Sequence, residues 1–147
     1  MIQIHIKNYN ELTTEELYSL LQLRSQVFVV EQNCVYQDID GKDQKSLHVL
    51  GKKDNVIVAY SRIFKKGDYF KESSIGRVVV DKNSRHLKYG SQIMQASIEA
   101  IQNTFDTKII KISAQLYLEN FYTGFGFKPT GNSYLEDGIP HIAMIKN

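Results

Sequence analysis

The sequence predicts a mixed α/β domain of the α+β class, with a mostly antiparallel sheet flanked by helices and one parallel strand pair. Three observations carry that expectation. The stretch from Ile75 to Asp81 holds the β-branched run Val78, Val79 and Val80, then passes through a basic turn into apolar residues at helical spacing: Ile93, Met94, Ile98 and Ile101. Before it, two apolar runs flank a polar turn in the pattern of a hairpin. After it, Ile109, Ile110 and Ile112 mark another strand, so the strand–helix–strand unit from Ile75 to Ala114 pairs in parallel with a right-handed crossover if its strands are adjacent.

In chain order, Ile2, Ile4 and Ile6 alternate with polar residues as a half-buried strand. Thr13 and Glu16 then form a capping box that opens a helix. Leu17, Leu20, Leu21, Arg24, Val27 and Phe28 lie along its inner face, and the helix dissolves around Val29 to Gln32. Asn33 to Lys45 is a polar loop, long enough to suggest a functional or mobile segment. The hairpin follows: Leu47 to Leu50, a turn over Lys52 to Asn55, then Val56 to Tyr60 extended by Arg62 to Phe64. Lys65 to Asp68 is a turn before the Ile75–Asp81 strand. The central helix ends near Asn103–Asp106. A strand from Lys108 to Ala114 and a short helix from Leu116 to Thr123, stopped by Gly124, come next. Phe125 to Phe127 starts a strand that Pro129 is expected to break. Asn132–Tyr134 and His141–Ile145 are the last strand pieces, with Asp137-Gly138 turning between them.

With 147 residues, the chain is expected to form one domain, 1–147. A net charge of +2 with scattered Lys and Arg gives no charge argument for nucleic acid or a membrane as partner. No apolar run approaches the ~20 residues needed to cross a bilayer. The N-terminus lacks the apolar core of a signal peptide. Cys34 is the single cysteine, so no internal disulfide forms and a reducing cytoplasm is the expected setting. Cys34 itself reads as a small packing residue or a free thiol. A homodimer is compatible with the sequence, though nothing in it locates an interface.

The turn into the central helix is the main chemical feature. The first amides of a helix lack intrahelical acceptors, and with the helix dipole they suit a phosphate. Lys82, Arg85 and Lys88 add charge of the right sign, as does His86 when protonated. Other patterns fail. Gly124-Phe125-Gly126 lacks the third glycine of a dinucleotide fingerprint. No Gly-Lys-Ser/Thr follows the basic loop. Asp38, Asp40 and Asp43 miss the calcium-loop spacing. The four histidines and Cys34 have no zinc spacing, so no metal is expected.

Two motifs make a resemblance specific. Arg85-His86-Leu87-Lys88-Tyr89-Gly90 resembles the pyrophosphate loop of the GNAT N-acetyltransferase family, Gln/Arg-x-x-Gly-x-Gly/Ala, with Lys88 in place of the first glycine. Asn120-Phe121-Tyr122-Thr123-Gly124-Phe125-Gly126-Phe127 is similar to its later aromatic-Tyr signature. A closer likeness to the ElaA-like subgroup runs through Leu23 to Cys34, Asp38 to Asp43 and Glu136 to His141. The resemblance implies the GNAT acyl-CoA N-acyltransferase fold, with the parallel strand pair at the acetyl-CoA site. It implies an enzyme that transfers acetyl from acetyl-CoA to an amine of a small molecule or peptide, by direct attack in a ternary complex.

The site residues follow from the same resemblance. Val78, Val79 and Val80 border the thioester and supply a backbone oxyanion donor. Arg85, His86, Leu87, Lys88, Tyr89, Gly90 and Ser91 form the phosphate loop, and Asn120 either contacts the pantetheine arm or caps the short helix. Tyr122 stands where the family keeps a general acid; with an unperturbed pKa of about 10 it is protonated at neutral pH. No general base is evident, the candidates being Glu31, His48, Glu136, His141 or a water chain. Arg24, Glu31, Arg62, Arg77, Gln115 and His141 are the acceptor-side candidates. Their mixed charge suits an acceptor with both an amine and a carboxylate. The alternatives are a non-catalytic acyl-CoA sensor, and a protein-interaction module with the Asn33–Lys45 loop as its contact.

Overall fold

The computed structural model describes residues 1–147. Its strands are β1 (Gln3–Asn8), β2 (Leu47–Lys53), β3 (Val56–Phe64), β4 (Ser73–Val80), β5 (Ile110–Gln115), β6 (Lys128–Glu136) and β7 (Ile139–Lys146). They form one seven-stranded sheet in the order β1-β2-β3-β4-β5-β7-β6. Every neighbouring pair is antiparallel except β4 and β5. This is the mixed α/β architecture that the sequence predicts, with the parallel pair where the strand–helix–strand unit requires it.

Helix α1 (Thr14–Arg24) opens on the capping box: the Glu16 amide donates to the Thr13 hydroxyl at 3.0 Å, and the Thr13 amide donates to Glu16 at 2.9 Å. Its helical path continues as a π-turn segment from Ser25 to Glu31, so the chain stays coiled up to the predicted exit. The inward positions are Leu20, Leu23, Arg24 and Val27, joined by Leu50, Ile57, Tyr60 and Val79 in a small core under one face of the sheet. Leu17 and Leu21 lie at the margin of this face. The other face carries the larger core. There α2 (Tyr89–Phe105) buries Tyr89, Ile93, Met94, Ile98 and Ile101 against Ala59, Ile63, Ile75, Ile110 and Ile112. Within it the hydroxyls of Ser61 and Ser97 pair at 2.6 Å, which satisfies both in an otherwise apolar layer.

Turns behave as their chemistry dictates. Asp54 and Asn55, both at positive φ, close the β2–β3 hairpin, and Asp137-Gly138 does the same between β6 and β7. One expectation fails. Pro129 lies inside β6, opposite Met144, and the strand is not broken. Because β6 is the sheet's outer strand, the missing amide of Pro129 removes no ladder bond from a second neighbour. The strand's irregularity instead falls between Thr130 and Tyr134, around Gly131 at φ +76°.

Candidate active site

Strands β4 and β5 pair only at their first residues, Ser73 with Ile110 and Ser74 with Lys111. Beyond that point they diverge. A bulge contributes to the divergence: two residues of β4, Arg77 and Val78, face the single Ser61 of β3, and Arg77 takes φ +52°. The gap is lined by Gly76 to Val80 on one side and by Ile112, Ser113 and Gln115 on the other. It leads into a cavity of about 420 Å³. The amide of Asp81 donates to the Val58 carbonyl at 2.7 Å, on the β3 side. Strand alternation then turns the Val80 amide and carbonyl towards the gap.

The gap joins the two faces of the sheet. Residues paired across strands share a face. Phe64, Ser74 and Lys111 are therefore on one face, with Ser113 and Gln115 following Lys111 at every second position. Gln115 pairs with His141, and His141 with Tyr134, so these belong to the same face, the one that α1 covers. Tyr122 belongs to the opposite layer, in the α2-side core. The cavity touches both groups.

On the α2 side, the chain from Lys82 to Leu87 makes a tight 3-10 turn, Asp81 accepting from the Asn83 amide at 3.1 Å. Lys88 then adopts the left-handed conformation at φ +63° and precedes the first residue of α2. The sequence puts a lysine where the loop pattern has glycine, and the backbone there does take the conformation that favours glycine. The first helical amide to find a carbonyl is that of Gln92, on Lys88 at 3.3 Å. The amides of Tyr89, Gly90 and Ser91 have no intrahelical acceptor, as at any helix start. This is the feature that fits a phosphate-bearing coenzyme. Gly90 lines the cavity, and a Cβ there would meet Phe121 and Val80 at an ordinary 3.7 Å. His86 and Leu87 are exposed. The Tyr89 side chain is not at the site; it is buried in the main core.

Helix α3 (Glu119–Thr123) carries Tyr122, which packs edge-on against Phe121 and Phe127. Its hydroxyl forms no hydrogen bond within the protein, and Tyr122 lines the cavity. Burial, with a smaller push from Tyr117, raises the Tyr122 pKa well above its usual value, so the group keeps its proton. Asn120 is exposed and lies outside the cavity wall. It does not cap α3, whose N-cap is Leu118 without a side-chain bond.

The acceptor-side candidates separate. Arg24 is fully buried and away from the cavity. It binds Asp38 at 2.9 Å and Asp43 at 2.7 Å. Arg62 binds Asp43 at 2.9 Å and Asp40 at 2.5 Å, and Arg77 binds Asp38 at 2.7 Å. Three aspartates of the 33–45 loop thus answer three arginines of α1, β3 and β4. Burial alone would raise Asp40 and Asp43, but hydrogen bonds from Arg62 and Arg24 respectively hold them below the usual carboxylate range. The loop is therefore pinned to the sheet by charge. Arg24 is a structural group, and Arg62 and Arg77 are already ion-paired to the loop, although the Nε of each makes no hydrogen bond.

Glu31 and Arg85 are also paired, Arg85 donating through both terminal nitrogens, one of them at 2.9 Å, and through Nε to the Val80 carbonyl at 3.2 Å. The Arg85 hydrogen bonds hold Glu31 below its usual range, which makes it a poor base. His48 is no base for this site either. It is fully buried on Tyr60 (2.6 Å) and the Asp43 carbonyl (2.9 Å), and burial lowers its pKa. His141 and Glu136 do line the cavity. His141 Nδ1 is 2.7 Å from the Ile139 carbonyl, its Nε2 is 3.4 Å from Glu136, and Ser113 donates to Glu136 at 3.2 Å. Gln115 exchanges bonds with Gln32 at 3.2 and 3.3 Å on the cavity wall. The sequence reading missed the aromatic wall. Phe64 and Tyr69 stack at 5.2 Å, Phe70 meets Tyr69 edge-on at 4.7 Å, and all three line the cavity. Two of them sit in an irregular turn without periodicity, where no sequence signal marks them.

Several known proteins resemble this chain over nearly its whole length. Residues 9–147 match the family model described as an acetyltransferase (GNAT) domain. Protein ElaA of Escherichia coli strain K12 is 46% identical over 148 residues, covering 99% of this chain and 97% of that protein. Its crystal structure superposes with a TM-score of 0.93 at 45% identity, over 100% of both chains. An acyl-CoA N-acyltransferase from Pseudomonas aeruginosa superposes at 0.94 with 36% identity, again over 100% of both. At 17% identity and a TM-score of 0.65, over 99% of this chain and 97% of the other, a GNAT family acetyltransferase from Elizabethkingia anophelis shares the fold, and that structure has acetyl-CoA bound.

Proposed function

We propose, from the premise that the chain belongs to the GNAT acetyltransferase family, that it moves the acetyl group of acetyl-CoA onto an amine of a small molecule or peptide. The observation that carries the reading is the splayed β4–β5 pair, whose gap connects the unpaired amides at the start of α2 and the unpartnered hydroxyl of Tyr122 to one cavity. Acetyl-CoA supplies an activated thioester. The chain supplies the rest.

The amides of Tyr89, Gly90 and Ser91 hold the diphosphate, with the ammonium of Lys88 adding charge. The Val80 amide, turned to the gap, donates to the thioester oxygen as negative charge builds on it. The amine nitrogen bonds to the carbonyl carbon, the carbon–sulfur bond breaks, and Tyr122 gives its hydroxyl proton to the leaving sulfur. The amine sheds its own proton on the acceptor side, where Glu136 and His141 are the cavity's titratable pair. The expected setting is the cytoplasm; no helix is long and apolar enough to cross a membrane.

The test is release of free CoA thiol from acetyl-CoA with a panel of primary amines. Amine-dependent release supports the reading. Coenzyme binding without release from any amine would instead mark an acyl-CoA sensor.

A further inference from the structure

The cavity's charges have a consistent pattern. Three arginines reach it, Arg62, Arg77 and Arg85, and each is bound to a carboxylate of the chain itself. Lys111 leans over the Phe70 ring at 5.0 Å, outside the cavity lining. Glu136, in contrast, reaches the cavity with no arginine or lysine against it; its partners are the Ser113 hydroxyl and His141. Asp137 lines the cavity beside it and makes no ion pair. Phe64, Tyr69 and Phe70 line the same cavity.

We propose that the acceptor is a primary amine carried on an apolar body and bearing no carboxylate. This rests on the acetyltransferase reading and narrows it. A carboxylate beside the amine would enter without a free cation, next to Glu136, and would lose its hydration without replacement. Arg62 and Arg77 each keep a buried Nε without a hydrogen bond, but Asp40, Asp43 and Asp38 already balance their charge, so an added carboxylate would bring an unmatched negative charge or pull a guanidinium from its buried partner. An ammonium suffers neither penalty: Glu136 attracts it, and an aromatic or branched body covers the ring wall. The mixed-charge acceptor suggested by the sequence is thus replaced by a simpler one.

Matched pairs test this on the full chain. Thiol release is measured with phenethylamine against phenylalanine, and with isoamylamine against leucine. The expected result is a kcat/KM at least about tenfold higher for the amine of each pair, the size of one uncompensated buried polar group. Equal or better turnover of the amino acids overturns the proposal and leaves the acetyltransferase reading standing. So does turnover of polyamines or peptide amines with none of the apolar amines. Release with no amine overturns both. As a second arm, Glu136→Gln is expected to raise the phenethylamine KM by about threefold, as an exposed charge pair would, with a smaller change in kcat. An unchanged KM there overturns the role of Glu136 in drawing the ammonium.

Discussion

Arg85 holds Glu31 by a two-pronged ion pair that ties the end of the α1 path to the turn before α2. The arginine the sequence offers to a coenzyme phosphate is therefore shared with an internal carboxylate. Glu31→Gln should free it. The expected outcome is coenzyme A binding about 1.4- to fivefold tighter, from the ~0.2–1 kcal/mol that an exposed pair commands. Calorimetry at low and at high salt checks it, the gain shrinking as salt rises.

Tyr122→Phe removes a hydroxyl that has no protein partner, so the melting temperature should stay where it is. If Tyr122 protonates the leaving sulfur, kcat falls by about a hundredfold, the lower end for a general acid, while coenzyme affinity is unchanged. Because burial holds the hydroxyl's pKa above its normal value, Tyr122 should impose no alkaline fall in kcat between about pH 7 and 10. A pH–rate profile of wild type and variant reads this directly.

Asp43 accepts from both Arg24 and Arg62 and is itself buried. Asp43→Ala leaves two buried guanidinium groups short of a partner. Loss of about 3 kcal/mol in unfolding free energy is expected, the scale for breaking a buried pair from one side. Urea denaturation measures it.

Glu16 gives a pH signature. Burial, the largest influence, raises its pKa, but hydrogen bonds from Lys52, Lys7 and Thr13 outweigh it and leave the value at about 2, against 4.5 for the free side chain. The folded value lies below the unfolded one. Its stabilising contribution is therefore complete above about pH 4.5 and disappears as pH falls towards 2. Glu16→Gln should flatten the stability profile across that window and lower stability at pH 7.

Much of this was legible in the sequence because it lives in local patterns. The capping box, the hairpin turns and the crossover helix each depend on a few adjacent residues. Arg24 shows the limit. A charge in an apolar helical stripe signals a buried partner, and three aspartates follow in the next loop, but only the folded chain joins them. His48 and the Tyr89 side chain show a related limit: their type suits chemistry or core equally, and strand register and helix phase put both side chains in the core. Pro129 was read as a breaker because the sequence does not say which strand lies at the rim.

That rim strand carries one more consequence. Lys128–Glu136 offers its outer side to solvent along its whole length, yet Pro129 has no amide to give and the kink at Gly131 bends the remaining donors out of line. A foreign extended segment would find no straight ladder to extend. Growth of the sheet into fibrils, or zippering of two copies side by side, is disfavoured at this margin by the same residues that make the strand look defective on paper.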